Sequence, residues 1–253
     1  MGTDLQKASF WKRISAGLFD VIVLAMVALG IATMLSWVLN VDTYSQAYSD
    51  AYHQYQTQYG VEFDINQEAF EALTSQQQET YHAAYRAFIA DEAVLYNYNM
   101  IVNLWMLITT FSILIAVLAL EFVIPLLLKN GQTLGKKIFG VALMRADGVK
   151  ITNLQLFVRT VLGKFTIEIM IPVYILLMIA FDSIGIISVA ILGGILVAEL
   201  LTFVLSRTNN LIHDSIAVTV AVDMATQLIF ETPEEKLEYI KRLHAEEASR
   251  QEY

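Results

Sequence analysis

Residues 100–128 read MIVNLWMLITTFSILIAVLALEFVIPLLL, an apolar run in which Glu121 is the one charged residue. About 18 apolar residues in succession suffice to cross a hydrocarbon core ~30 Å thick, so the stretch has the length of a transmembrane helix. Three further blocks follow the same pattern: Ile14 to Leu39, about Phe165 to Phe181, and Ile184 to Leu205. The third is the shortest and contains Glu168 and Pro172. The first exceeds the ~7–15-residue core of a signal peptide and lacks an evident small-residue cleavage site, so it is expected to be retained as a span. Composition agrees, with 56% hydrophobic and 16% charged residues, against about 25% charged in ordinary soluble domains. The expected fold class is an all-α integral membrane protein of about four transmembrane helices.

Working outward from these blocks divides the chain into residues 1–39, 40–99, 100–128, 129–164, 165–205 and 206–253. Basic residues gather in some of the connecting stretches. Lys7, Lys12 and Arg13 precede the first span, and Arg207 follows the fourth. Lys129, Lys136, Lys137, Arg145, Lys150, Arg159 and Lys164 lie between the second and third, against one acid, Asp147. Residues 40–99 hold nine acids and one base, Arg86. Flanking Lys and Arg stay on the cytoplasmic side, which predicts a multi-pass protein of the cell membrane with both termini inside and residues 40–99 outside. The net charge of −9 argues against a nucleic-acid partner, because phosphates demand a basic patch. The expected partners are the lipid bilayer and either further copies of this chain or a membrane partner protein. No cysteine is present, which removes disulfides, thiolate metal sites and a cysteine nucleophile.

The outer segment carries a helical stripe: Tyr44, Tyr48, Tyr52, Tyr55 and Tyr59 recur at steps of three and four, and Tyr81, Tyr85, Phe88 and Leu95 make a second one. This predicts that spans one and two continue outward as helices packed through aromatic faces, with a short helix around Asn66 to Leu73 between them. Between spans two and three, Asp147-Gly148 separates two β-prone runs, a hairpin signal, and Ile216 to Val222 is suited to add a strand. Asn153 to Lys164 reads as an amphipathic helix in the membrane interface. Thr232-Pro-Glu-Glu caps a charged terminal helix running to about Ala248.

Asp20, Glu121, Glu168 and Glu199 fall at similar depth within the spans. An ionised carboxylate there costs ~3 kcal/mol on insertion scales, so such residues mark ion paths or are paired. Arg13, two turns before Asp20, is suited to share a polar network with it. One reading is a proton or cation site, in which Asp20 and Glu199 are the foremost candidates. The other pairs each acid with Arg13, Arg159, Lys164 or Arg207 as pins that hold the bundle in register, the stronger reading for Glu121 and Glu168. Arg13-x-x-x-Gly17 and Arg159-x-x-x-Gly163 share a spacing, although a base before an apolar run is sufficient to explain it. Gly131-Gln-Thr-Leu-Gly135-Lys136-Lys137 fails the phosphate-loop pattern and reads as a tight turn that carries bases to the membrane surface. His213-Asp214, one His with one Asp, makes a poor metal site and a better salt-linked elbow. Gly193-Gly194 thins the fourth span for helix packing. No nucleophile, base and oxyanion set can be assembled, so no catalytic residue, cofactor or metal is expected and an enzyme is not the expected reading.

Arg13 at the mouth of span one, Asp20 within it, the Gly131 to Lys136 turn and His213-Asp214 together resemble the RDD family of membrane proteins, named for one arginine and two aspartates. The resemblance covers residues 10–38 and 100–223, with Asp214 matching the third named position. It implies a polytopic membrane protein and, because some members are associated with transport including sodium–proton exchange, an ion- or solute-handling activity. The alternative is a scaffold, adaptor or regulator that holds a partner through the outer segment or the charged tail.

Overall fold

The structure, a computed structural model, describes residues 5–128, 131–181, 185–206 and 208–251. The helices are α1 (Phe10–Val38), α2 (Val41–Tyr59), α3 (Gln67–Glu71), α4 (Ser75–Ala90), α5 (Glu92–Leu127), α6 (Leu134–Ile138), α7 (Asn153–Ala180), α8 (Ile186–Leu205), α9 (Ile212–Ile216) and α10 (Pro233–Gln251). Two strands, β1 (Val141–Arg145) and β2 (Thr219–Asp223), complete the fold. Helices α1, α5, α7 and α8 are long and apolar enough to span a membrane. Their burial is inverted relative to a soluble protein. Of α8 Ser188 alone is buried among the described residues, and Ile186 is 86% exposed. Such a surface is stable only where lipid replaces water. The protein is therefore an all-α polytopic membrane protein with one small antiparallel sheet.

The chain divides into two compact units, one of residues 1–29 and 113–253, the other of residues 30–112. The second unit is held by aromatic packing. Phe63, Ala84, Phe88 and Val94 form its core, and Tyr48, Tyr52, Tyr55, Tyr59 and Tyr81 close around them. Phe88 meets the rings of Tyr48, Tyr52, Tyr55 and Phe63 at centroid distances of 5.5–5.8 Å. The helices expected to run on from spans one and two are interrupted. Asn40 adopts a left-handed conformation (φ 51°) and separates α1 from α2, a state that Asn tolerates better than most residues. At Asp91 the backbone turns extended, and the Asp91 carboxylate accepts from the N–H groups of Ala93 and Val94 to start α5 afresh. The phenol of Tyr55 donates to the same carboxylate at 2.8 Å and holds Asp91 below the usual carboxylate range.

In the first unit the expected hairpin across Asp147-Gly148 is reduced to a turn, closed by one isolated bridge between Met144 and Lys150. The regular partner of β1 is β2, paired antiparallel from Val141 with Asp223 to Arg145 with Thr219. The reason lies in burial. Val141, Leu143 and Ala221 pack with Ala8 on one face, while Ala142, Met144, Val220 and Val222 fill the other. A sheet buried on both faces requires apolar residues along its strands, which Val220 to Val222 supply and Lys150 does not. The segment expected as an interfacial helix, Asn153 to Lys164, continues without a break into the third span. Thr152 and Gln155 form a capping box at its start, and the helix runs on to Ala180.

Candidate functional site

The charged residues of the first unit converge because two spanning helices depart from ordinary α winding. Over Leu118–Val123 in α5 and Val158–Met170 in α7 the backbone follows the wider i→i+5 (π) pattern. The hydroxyl of Thr166 donates to the carbonyl of Val161, five residues back, at 2.8 Å. At about 3.6 residues per turn, Arg159 and Glu168 would stand about two and a half turns apart, on opposite faces. In i→i+5 winding they stand about two turns apart and share a face. Wide turns of this kind occur frequently at functional sites.

On that face Arg159 is buried and donates from Nε to Asp214 Oδ1 at 2.8 Å. Its NH2 group lies 2.7 Å from Nε2 of His213. The other nitrogen of that ring, Nδ1, lies 2.6 Å from Glu168 Oε2, and the His213 backbone N–H reaches Glu168 Oε1 at 2.7 Å. With an arginine donor on one nitrogen, the ring is neutral and carries its proton on Nδ1. Burial, then the nearby Arg159 charge, holds His213 below its ordinary pKa. Burial opposes ionisation of Asp214, yet its neighbours, Arg159 foremost, together outweigh it and keep this carboxyl well below the carboxylate range. Thr219 adds a hydroxyl donor to Asp214 Oδ1 at 3.1 Å. Gly163 makes the assembly possible, since a Cβ there would stand 2.7 Å from Cα and Cβ of His213.

The remaining charges surround this centre. Lys164 donates to Oε1 of Glu121, which is 1% exposed. Glu199 on α8 faces Glu168 carboxyl to carboxyl and accepts from the Ile212 N–H at 3.2 Å. Asp20 accepts from the Gly135 N–H at 2.7 Å through Oδ1 and from the Thr133 hydroxyl through Oδ2. It thereby fixes the start of α6. A cavity of about 230 Å³ opens among Arg13, Asp20, Lys136, Glu168, His213 and Asp214. Burial, then Arg159, lowers the Lys136 amine to about 8.

Among the residues singled out from sequence, Arg13 turns to Asp214, at 3.9 Å, and not to Asp20. Glu121 and Glu168 take Lys164 and His213 as partners. Glu199 has no basic partner among the described residues, and Arg207 lies outside them. His213-Asp214 is the hub of the network. Lys136, expected at the membrane surface, lines the cavity. A signal for the wide turns was present in the sequence: Glu121-x-x-x-Pro125 and Glu168-x-x-x-Pro172 share one spacing. Each proline stands at the start of the α segment that follows a wide one, where its missing N–H breaks the i→i−4 ladder.

Among the described residues no group of three or more His, Cys, Asp or Glu side chains is arranged to hold a metal ion. No curated protein matches the chain, and no solved structure does. The RDD family model matches residues 7–218, a span that contains Arg13, Asp20, the Gly131 to Lys136 turn and Asp214, so the chain belongs to the RDD family.

Proposed function

We propose that this chain carries a proton, or a cation exchanged against one, across the membrane, with the charged cavity of its first unit as the transit site. The observation that carries the reading is the convergence of Arg13, Arg159, Glu168, Glu199, His213 and Asp214 from α1, α7, α8 and α9 into one contacting network. Ionisable groups within spans are costly and mark ion paths by default. Asp20 has both oxygens engaged, so its part is to position the Gly135 turn, and the carrying role passes to the acids beyond it. In this reading both termini and the sheet face the cytoplasm, residues 40–99 face outward, and the protein is an oligomer in the cell membrane without enzymatic activity. Four helices enclose too narrow a route alone.

The test is flux. Purified protein in liposomes is expected to dissipate an imposed H⁺ or Na⁺ gradient, and Glu199→Gln to abolish this. Protein-containing vesicles no leakier than empty ones would sink the proposal. Removing residues 44–95, whose aromatic core is self-contained, separates it from the scaffold alternative: transport survives that deletion, whereas capture of a partner through the insertion does not.

A further inference from the structure

We infer that the facing carboxyls of Glu168 and Glu199 hold one shared proton between α7 and α8, and that His213 is the station through which this proton exchanges with the cavity. The inference rests on the transport reading for its purpose, and it names the particle and its seat. An ionised carboxylate only accepts hydrogen bonds, so two carboxyls in contact need one proton between them. Without it, two like charges share one site, which is strongly disfavoured.

The surroundings keep the pair from being neutralised in another way. Glu199 meets Glu168, the Ile212 N–H and, at longer range, the negative charge of Asp214. Glu168 meets His213 from α9 and Glu199 from α8. The nearest cations are already engaged: Arg159 with Asp214 and His213, Lys164 with Glu121, and Arg13 with Asp214 and the Thr208 carbonyl. A metal cation entering the cavity would meet Arg13, Lys136, Arg159 and Lys164 along its wall. A proton needs only an oxygen lone pair, which Glu199 supplies.

The step balances without a further reactant. A proton arriving from the cavity bonds to Nε2 of His213, while the Nδ1–H bond breaks and that proton passes to Glu168 Oε2, 2.6 Å away. The ring ends neutral with its tautomer exchanged, and the pair has gained one proton. The new Nε2–H no longer accepts from Arg159 and faces the Asp214 carboxylate, whose Oδ2 lies 3.6 Å away. Glu168 lines the cavity and Glu199 does not, so the shared proton stands at the boundary between the cavity and α8.

The test reads the proton directly. Infrared difference spectra of the full chain in liposomes, titrated from mildly acidic to alkaline pH, are expected to contain the carbonyl band of a protonated carboxylic acid at neutral pH. The band should shift in D₂O and disappear on alkalinisation. Glu199→Gln and Glu168→Gln, each close in shape to the native residue, should each remove it, whereas Asp20→Asn should leave it. His213→Gln should keep the band and slow its exchange in D₂O. Absence of the band in the native protein, or its survival in both Gln variants, overturns the inference. Flux without the band leaves transport standing and removes this seat, and the band without flux does the reverse.

Discussion

Gly135 lies so close to Asp20 that a Cβ added to it would stand 2.9 Å from Asp20 Oδ1 and 2.3 Å from the carbonyl oxygen of Ala16. The turn that begins α6 is thus clamped to α1 by a contact only glycine permits. Gly135→Ala is expected to lower stability by at least the ~1–3 kcal/mol typical of overpacking, read as a lower unfolding midpoint in detergent. Gly17→Ala, at the residue next to Ala16 but with open space around it, should not lower the midpoint, since Ala is the better helix former.

Asp20→Asn keeps the shape of the side chain and loses its charge. The amide oxygen can keep the Gly135 N–H, but the amide nitrogen now faces Thr133, whose hydroxyl must turn to accept, and both bonds lose their charged acceptor. A loss of about 1.5–3 kcal/mol is expected, the usual effect of a hydrogen bond to a charged group. Flux per folded molecule should be retained, and its abolition would return Asp20 to the carrying role.

Removing one partner of a buried ion pair strands the other, at about 3–5 kcal/mol. Asp214→Ala should destabilise by this order, since it abandons Arg159 in the interior. The native pair also predicts an acid limb. Asp214 is held below its unfolded-state value, so its contribution is complete above about pH 4 and is lost as pH falls toward the folded-state value. Midpoints measured against pH should fall on acidification in the native protein more steeply than in the variant.

Lys136 predicts an effect of opposite slope. Its folded-state pKa of about 8 lies below the unfolded value of about 10.4. Between these values the unfolded chain binds more protons, and stability rises with pH. The midpoint should climb above pH 8 in the native protein, and Lys136→Met should flatten that rise.

In the aromatic unit, Phe88 is 3% exposed and touches four other rings. Phe88→Ala is expected to cost ~3–5 kcal/mol and to open residues 40–99 to limited proteolysis. Cleavage no faster than in the native protein would show that the tyrosine cage holds without its centre.

Much of the fold was legible because lipid imposes long apolar runs and helices impose fixed periods. Met100 to Leu128 announces a span, and the tyrosines from Tyr44 to Tyr59 announce α2. The cap at Thr232 marks a helix start by local chemistry alone. What escaped the sequence depends on distant segments. Lys150 is as close to β1 as a hairpin requires, yet burial on both faces of the sheet selects Thr219 to Asp223 instead. Arg13 and Asp20 are neighbours along one helix, and only the arrival of Gly135 and Asp214 from elsewhere decides that each takes a different partner. The acids were visible as intramembrane charges, whereas the role of His213 was not, because its neighbours Arg159 and Glu168 seem by α periodicity to face opposite ways.

The wide winding of α7 therefore constrains length where it does not constrain identity. Between Arg159 and Glu168 an exposed side chain such as Leu162 is replaceable without moving either end, whereas Gly163 is not. Adding or deleting a single residue there would turn one charged end out of the cluster and toward hydrocarbon. Within this stretch, spacing carries the information that composition carries elsewhere in the chain.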